Sequence, residues 1–249
     1  GTKDFTEVDV PEMLYLAIAE RMNTQVRGMN VAIRNANDAI SLSQTAEGSL
    51  SKINDMGQRM RELAVQSANA TNSDSDRKNL DAEYQALAQE IKRNLAGAAF
   101  NGTKLFATAA ALTFQVGANA ATTDQITIKT ENLAGENSIV EVIGAAGADA
   151  ASIGTAAGAS AALGKLDTML ATVNSKRAEF GATQNRFEAV IQTLQVSAEN
   201  QTAARSRIMD ADFASETASL TRSQVLQQAG TAMLSQANSL PNNVLSLLR

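Results

Sequence analysis

The apolar positions in the N-terminal part of the chain follow a helical repeat. Between about Leu16 and Asn69 there is no proline, and apolar or small residues recur at intervals of three and four. They are Ala19, Met22, Val26, Met29, Ile33, Ala36 and Ile40, followed in a shifted phase by Ile53, Met56, Met60 and Leu63. Such spacing is typical of a helix with one buried seam. About 54 helical residues would span roughly 80 Å, which is more than a compact globule of this chain length allows, so we predict an elongated molecule.

A polar stop and a second helix follow. The run Thr71–Asp76 consists of turn-forming and capping residues. After it, the pattern predicts a helix from Arg77 to about Ala98. One face of this helix carries Leu80, Tyr84, Leu87 and Ile91. The dipeptide Asn101-Gly102 then marks a tight turn.

The middle of the chain contains two different patterns. Apolar and polar residues alternate in Phe114–Val116 and again in Ile126–Ile128, which predicts a small β-hairpin. The stretch from Gly144 to Ala162 is almost entirely Ala, Gly and Ser. Because these side chains are too small to anchor a core, we predict a connection of low order there.

A second long helical pattern begins at Leu163. Its heptad seam consists of Leu166, Leu170, Val173, Phe180, Phe187, Ile191, Leu194 and Ala198, with Arg177 and Gln184 at the remaining positions. The last forty or so residues form a separate amphipathic segment that we expect Pro241 to interrupt. Its apolar face has no obvious partner in the chain, which indicates association. The candidate association residues are Leu226, Ala229, Met233, Ala237, Leu240, Leu245, Leu247 and Leu248.

The composition excludes most kinds of catalytic and metal-binding site. The 249 residues include no cysteine, histidine or tryptophan, so thiolate nucleophiles, imidazole bases and ordinary zinc sites have nothing from which to form. The 21 basic and 26 acidic residues are mixed along the chain without a basic stripe, and we expect no nucleic-acid partner. No apolar run approaches the roughly 20 residues that span a bilayer. We therefore expect no enzyme, no metal and no cofactor.

The motifs at both ends of the chain resemble those of the bacterial flagellins. The N-terminal motifs are Leu16–Met22, Arg34–Asp38, Gln44–Gly48, Arg61–Asn69 and Phe100–Leu105. The C-terminal motifs are Gly181–Phe187, Ala203–Ile208, Asp210–Phe213, Gln227–Gly230 and Leu245–Arg249. They span most of the chain in the family's order.

The resemblance implies a mainly α fold: an elongated antiparallel bundle of long helices, the flagellin rod domain, with a small β-hairpin region and a C-terminal inner-core helix. It divides the chain into an atypical linker segment (1–15), the N-terminal half of the rod domain (16–110), the hairpin with its Ala/Gly-rich connection (111–162), the long C-terminal rod helix (163–205) and the inner-core segment (206–249). The family normally begins with a further helix, which nothing here replaces. The opening residues also differ from the family's usual link.

The resemblance also implies partners. Flagellin copies assemble with one another into the filament, and the association residues above would serve that assembly. Export would use a flagellar chaperone and the type III apparatus, which agrees with an opening sequence that does not resemble a cleaved secretory signal. In flagellins that activate the flagellin-sensing Toll-like receptor, an Arg, a Leu and a Glu contact the receptor. The matching residues here are Arg59, Leu63 and Glu83.

Three functions remain open at this point. The first is a structural subunit of the flagellar filament, secreted from the cell and serving motility. The second is a flagellin homologue displayed on the cell surface as an adhesin or polysaccharide-binding protein, with Lys52, Arg59 and Arg61 as a local basic patch. The third is a filament cap or hook-junction protein, which fits the motifs less well.

Overall fold

The computed structural model describes the backbone of residues 9–247 and the side chains of residues 13–237. Within residues 9–247, four α-helices and four short strands follow one another as α1 (Asp9–Ala68), α2 (Asp74–Gly97), β1 (Ala99–Phe100), β2 (Thr103–Lys104), β3 (Ala110–Gln115), β4 (Gln125–Thr130), α3 (Asn137–Ile143) and α4 (Ala156–Leu247). The chain divides into two compact units, one formed by residues 28–196 and one by residues 1–27 with 197–249. We call them the central unit and the terminal unit.

Helix α1 begins earlier than the sequence pattern predicts. Its first residue is Asp9, inside the stretch that was expected to be a linker, and Pro11 lies in its first turn. Proline is tolerated there because the first backbone N–H groups of a helix have no partner within the helix. Helix α1 therefore begins about two turns before Leu16, where the sequence pattern predicts its start.

The buried seam of α1 in the central unit is built on alanine. Ala32, Ala36 and Ala39 are almost completely buried, whereas the larger Ile33 and Ile40 beside them are only half-buried. Small side chains at the centre of a helix contact let the backbones approach closely, and the branched side chains then fill the edges of the contact. The expected seam is thus present, with its centre displaced by one residue.

Helix α2 is held at its start by a reciprocal cap. The Asp76 backbone N–H donates to Ser73 Oγ at 3.1 Å, and the Ser73 N–H donates to Asp76 Oδ2 at 2.9 Å. The Ser73 hydroxyl also donates to Asp76 Oδ2 at 2.7 Å, and this hydrogen bond, followed by the one from the Ser73 N–H, holds the pKa of the Asp76 carboxyl below its ordinary value. The guanidinium of Arg77 meanwhile donates to the carbonyls of Ser67, Asn69 and Asn72 at the end of α1. This joint closes the turn between α1 and α2.

The two small hairpins follow local turn chemistry and side-chain packing. Asn101 and Gly102 have φ of 47° and 79°, the left-handed values that a two-residue turn between β1 and β2 requires. Strands β3 and β4 pair antiparallel, with Phe114 opposite Ile126. The Phe114 ring packs edge-on against Phe187 of α4, at 5.8 Å between ring centroids. The expected hairpin is confirmed and lies against the helices.

The Ala/Gly-rich stretch from Gly144 to Ala162 is ordered, contrary to the expectation of a loose connection. Ile153 is completely buried, and its backbone carbonyl accepts a hydrogen bond of 2.5 Å from the buried Ser67 hydroxyl. Gln85 of α2 pairs with both the N–H and the carbonyl of Ala150. Hydrogen bonds between side chains of α1 and α2 and the backbone of this stretch thus hold it in place without large apolar side chains. The composition of the stretch does not predict these hydrogen bonds.

Helices α1 and α4 run antiparallel through the central unit. Arg61 pairs with Asp167 at 2.7 Å, and Arg177 lies 3.5 Å from Glu47 on the other side of the contact. Between these ion pairs Gly57 lies so close to Leu170 that a β-carbon would stand 2.8 Å from the leucine side chain. A larger residue at position 57 would therefore force the side chain of Leu170 or Met169 to shift. The predicted fold class, long antiparallel helices with a small β-hairpin, is confirmed.

Candidate assembly and contact surfaces

Residues 213–237 of α4 are exposed on every side of the helix. Each residue from 213 to 237 is exposed, including Phe213 at 76% and Met233 at 72%. Upstream in the same helix, Leu166 and Phe187 are completely buried. A helix that carries large apolar side chains without a covering surface is typical of an association element. Helix α4 also continues past Pro241, contrary to the expected interruption.

The exposed apolar residues form two stripes along α4. At about 100° per residue, Leu226, Ala229, Met233 and Ala237 fall on one side of the helix, which we call the first stripe. Met209, Phe213, Leu220 and Leu234 fall on another side, roughly a third of a turn away, which we call the second stripe. The first stripe was predicted from the sequence.

The second stripe was missed. Its spacings of four, seven and fourteen residues are as regular as those of the first stripe. A single amphipathic face accounts only for the first stripe, so a prediction based on one face does not include the second. The other predicted association residues cannot be placed in the same way: the side chains of Leu240, Leu245 and Leu247 lie outside the described residues, and Leu248 lies beyond the described backbone.

A groove adjoins the second stripe within the terminal unit. It has a volume of about 510 Å³, and Tyr15 of α1 and Ile208 of α4 contribute to its lining, with Arg207 and Asp212 supplying charge. Tyr15 and its neighbours Met13, Leu14 and Leu16 are exposed. The apolar surface of the terminal unit therefore extends from α4 onto the beginning of α1.

A second exposed surface joins α1 and α2 in the central unit. Arg59 Nε donates to Glu83 Oε1 at 2.9 Å, and its Nη1 donates to Glu62 Oε2 at 3.1 Å. The hydrogen bond to Glu83, followed by that to Glu62, raises the pKa of Arg59. About half of each side chain, Arg59 and Glu83, remains exposed. The fold thus brings together two of the three predicted receptor-contact residues.

Leu63 does not belong to this surface. It is 1% exposed and lies in the core of the central unit with Met60 and Ala64. The packing of the helix bundle covers the Leu63 side chain in this structure, and a contact of Leu63 with a receptor stays a prediction. The sequence motif could not separate Leu63 from the exposed Glu62 beside it.

Within the residues that the structure describes, no helix is long and apolar enough to cross a membrane. The buried helices and the exposed stripes instead define a class of protein, a structural subunit with a large apolar helical surface. Comparison with known proteins identifies the family. The model of the bacterial flagellin N-terminal helical region matches residues 14–111, and that of the C-terminal helical region matches residues 163–248.

Individual relatives agree with this match. The chain is 41% identical to a flagellin of Halalkalibacterium halodurans over 94% of this chain and 84% of the relative. It is 39% identical to a flagellin of Bacillus subtilis over 94% of this chain and 85% of the relative. It is 40% identical to the flagellar filament 31.3 kDa core protein of Treponema maltophilum, again over 94% and 84%.

Solved structures give the same result. The crystal structure of Bacillus cereus flagellin matches 69% of this chain and 94% of its own, with a TM-score of 0.54 and 29% identity. A putative flagellar hook-associated protein from Vibrio parahaemolyticus matches 81% and 98% with a TM-score of 0.60, but at 16% identity it shows the fold alone. The chain belongs to the bacterial flagellin family. It is a structural subunit of the flagellar filament, not an enzyme.

Proposed function

We propose that the two apolar stripes of α4 are the surfaces through which copies of this flagellin assemble into the filament. The observation that carries the proposal is that every residue from 213 to 237 is exposed, including Phe213, Leu226 and Met233. An isolated helix is only marginally stable in water. Covering its apolar surface contributes about 25 cal/mol for each Å² removed from water. Packing between copies therefore supplies the stabilisation that residues 213–237 do not obtain from the described part of their own chain.

Two stripes on different sides of one helix suit a filament better than a dimer. A single apolar seam is satisfied by one partner helix, as in a two-stranded coiled coil. The second stripe lies roughly a third of a turn from the first, so a helix packed on one stripe leaves the other uncovered. Each subunit can then contact two neighbours at once. Contacts of this heterologous kind, repeated from copy to copy, build helical filaments.

A charge-matched pair of variants tests this proposal. The double variant Leu226→Glu with Met233→Glu places two carboxylates on the first stripe. The control, Gln228→Glu with Ser235→Glu, adds the same charge at the same spacing on the side of α4 that carries neither stripe. We expect the first variant to lose sedimentable polymer and the control to keep it, both with unchanged far-UV circular dichroism. Equal polymerisation of the two variants would show that the stripe is not the assembly surface.

We also propose that the chain is exported through the flagellar type III apparatus, with a chaperone that covers the stripes before assembly. Membership of the flagellin family supports this route, and the exposure of Leu226 and Met233 explains why cover is needed inside the cell. A chaperone that acts in this way should raise the concentration at which the purified chain begins to associate. It should fail to bind the Leu226→Glu, Met233→Glu variant.

We further propose that the exposed Arg59–Glu83 surface contributes to recognition by a flagellin-sensing Toll-like receptor. The support is the partial exposure of both side chains and their position across two adjacent helices. Arg59→Ala and Glu83→Ala should each lower signalling in receptor-reporter cells, whereas Lys52→Ala, at another exposed position of α1, should not. Unchanged signalling by both variants would show that this surface does not contact the receptor.

No comparison favours the alternative function of a cell-surface adhesin.

A further inference from the structure

The methionines of this chain range from completely buried to largely exposed. The chain has eight methionines. Met60 and Met169 are completely buried in the central unit, whereas Met13, Met209 and Met233 are 67%, 37% and 72% exposed. Met22, Met29 and Met56 are half-buried. All three exposed methionines belong to the terminal unit, and one of them lies on each stripe of α4.

Methionine is the principal target for peroxide in this sequence. Cysteine thiolates ordinarily react with peroxides first, and histidine and tryptophan also react with strong oxidants, but the chain contains none of the three. The methionine thioethers are therefore the side chains of this chain that react most readily with two-electron oxidants. Because susceptibility follows exposure, Met233 and Met209 should react before Met60 and Met169.

We propose that Met233 and Met209 form a peroxide-sensitive modification site that controls self-association of this chain. The thioether sulfur of methionine attacks one oxygen of hydrogen peroxide, and the O–O bond breaks. The sulfur gains that oxygen and is oxidised by two electrons to the sulfoxide, while the other peroxide oxygen leaves as water. The proposal rests on the assembly role of the two stripes.

The product changes what the stripes can do. A sulfoxide is polar and chiral, whereas the thioether is apolar and adapts to irregular surfaces. A sulfoxide at Met233 would place a strong hydrogen-bond acceptor in the middle of the first stripe, between Ala229 and Ala237. Burying it against another helix without a donor is unfavourable. Copies that have already assembled would cover both methionines, so oxidation would act selectively on unassembled chains.

The test uses the full chain and hydrogen peroxide. Monomeric protein is oxidised for increasing times, the sulfoxides are located by peptide mass spectrometry, and association is followed by sedimentation. We expect Met209 and Met233 to be oxidised well before Met60 and Met169. The concentration for half-association should rise about tenfold or more, as expected when an apolar side chain in a contact becomes polar. Methionine sulfoxide reductase should restore association if it reduces both sulfoxides.

Two double variants distinguish the effect of oxidation on the stripes from that of oxidation at other methionines. Met209→Leu with Met233→Leu nearly conserves the apolar volume, and its association after peroxide treatment should differ less than about twofold from that of the same variant before treatment. Met13 stays in this variant and controls for oxidation outside the stripes. The matched variant Met60→Leu with Met169→Leu should remain as sensitive as the original chain. Loss of association in both oxidised variants would overturn the proposal.

The outcomes also distinguish this proposal from the proposed function. If the untreated chain does not associate, assembly through the stripes fails, and control by oxidation fails with it. If the untreated chain associates and the oxidised chain associates equally well, the proposed function stands and the peroxide-sensitive site is wrong. Simultaneous oxidation of exposed and buried methionines in the folded monomer would also contradict it.

Discussion

The two halves of helix α4 show how one kind of sequence serves two purposes. Within the central unit α4 buries Leu166, Val173 and Phe187 against its own chain. Between residues 213 and 237 the same helix exposes every residue, although Phe213 and Leu226 are as apolar as the buried ones. Both halves have apolar residues at helical spacing. The difference is the partner, which the chain supplies in one case and, on our proposal, another copy supplies in the other.

The difference shows where the stability of the monomer resides. Packing of a large apolar face, not helix propensity, provides most of the stability of helices in proteins. The central unit has such packing, including the edge-on contact of Phe114 with Phe187. Local opening is easiest where few buried contacts hold a segment. Identical substitutions should therefore have opposite effects on folding and assembly in the two halves.

The largest expected difference comes from the same truncation at two phenylalanines. Phe187→Ala removes a buried ring and should lower the free energy of unfolding of the monomer by about 3–5 kcal/mol. Phe213→Ala removes an exposed ring and should leave the unfolding midpoint almost unchanged while weakening polymerisation. Urea denaturation and sedimentation measure the two effects. An equal loss of monomer stability in both variants would contradict the prediction that the two halves of α4 differ.

Serine hydroxyls offer a similar contrast at a smaller scale. Ser67 is buried and donates to the Ile153 carbonyl, so Ser67→Ala should destabilise the central unit by about 1–3 kcal/mol. Ser223 is exposed and donates to Ser219 within α4, where water can replace the hydroxyl. Ser223→Ala should have little effect in the same denaturation experiment. A negligible effect of Ser67→Ala would mean that the Ala/Gly-rich stretch is not held by this hydrogen bond.

Replacing Tyr84 by phenylalanine should increase the stability of the folded chain. Its ring is buried, and its hydroxyl has no hydrogen-bond partner among the described residues. Burial, assisted by the negative charge of Asp81, raises the pKa of Tyr84, so the hydroxyl is neutral at physiological pH. Tyr84→Phe removes an unsatisfied polar atom and should raise the free energy of unfolding by about 1 kcal/mol. A clear loss of stability would show that the hydroxyl has a partner, for example a buried water.

The smallest expected effect concerns the cap of α2. Because the folded-state pKa of Asp76 is lowered, its carboxylate stabilises the fold fully above its unfolded pKa near 3.8. That contribution is lost as the pH falls through the lower folded pKa. Asp76→Asn should therefore reduce stability slightly at neutral pH and flatten the decline below about pH 4. Asp210→Asn on α4 serves as the charge-matched control. Parallel pH profiles for Asp76→Asn and the original chain would contradict the prediction.

The sequence was sufficient for features that depend on local periodicity. The heptad seams of α1 and α4 and the alternation in β3 and β4 predicted the helices and the hairpin, because side-chain spacing reports the face that each element buries. The turn at Asn101-Gly102 followed from residues that tolerate positive φ. The first stripe was found in the same way, from the spacing of Leu226, Ala229 and Met233.

The features that escaped prediction depend on contacts between distant residues. Order in the Ala/Gly-rich stretch comes from Ser67 and Gln85, which are far from it in the sequence. The burial of Leu63 depends on which side of α1 faces the rest of the bundle, and a motif of consecutive residues does not contain that information. The second stripe also has regular helical spacing in the sequence, but it lies on a different face of α4 from the one that was predicted.

Hydrogen exchange of monomer and polymer tests the central claim most directly. Backbone amides that are covered exchange slowly, and those of a helix without packing exchange rapidly. We expect residues 213–237 to exchange rapidly in the monomer and slowly in the assembled filament, while residues around Leu166 and Phe187 exchange slowly in both. Slow exchange of residues 213–237 in the monomer would contradict the account, as would rapid exchange of these residues in the filament.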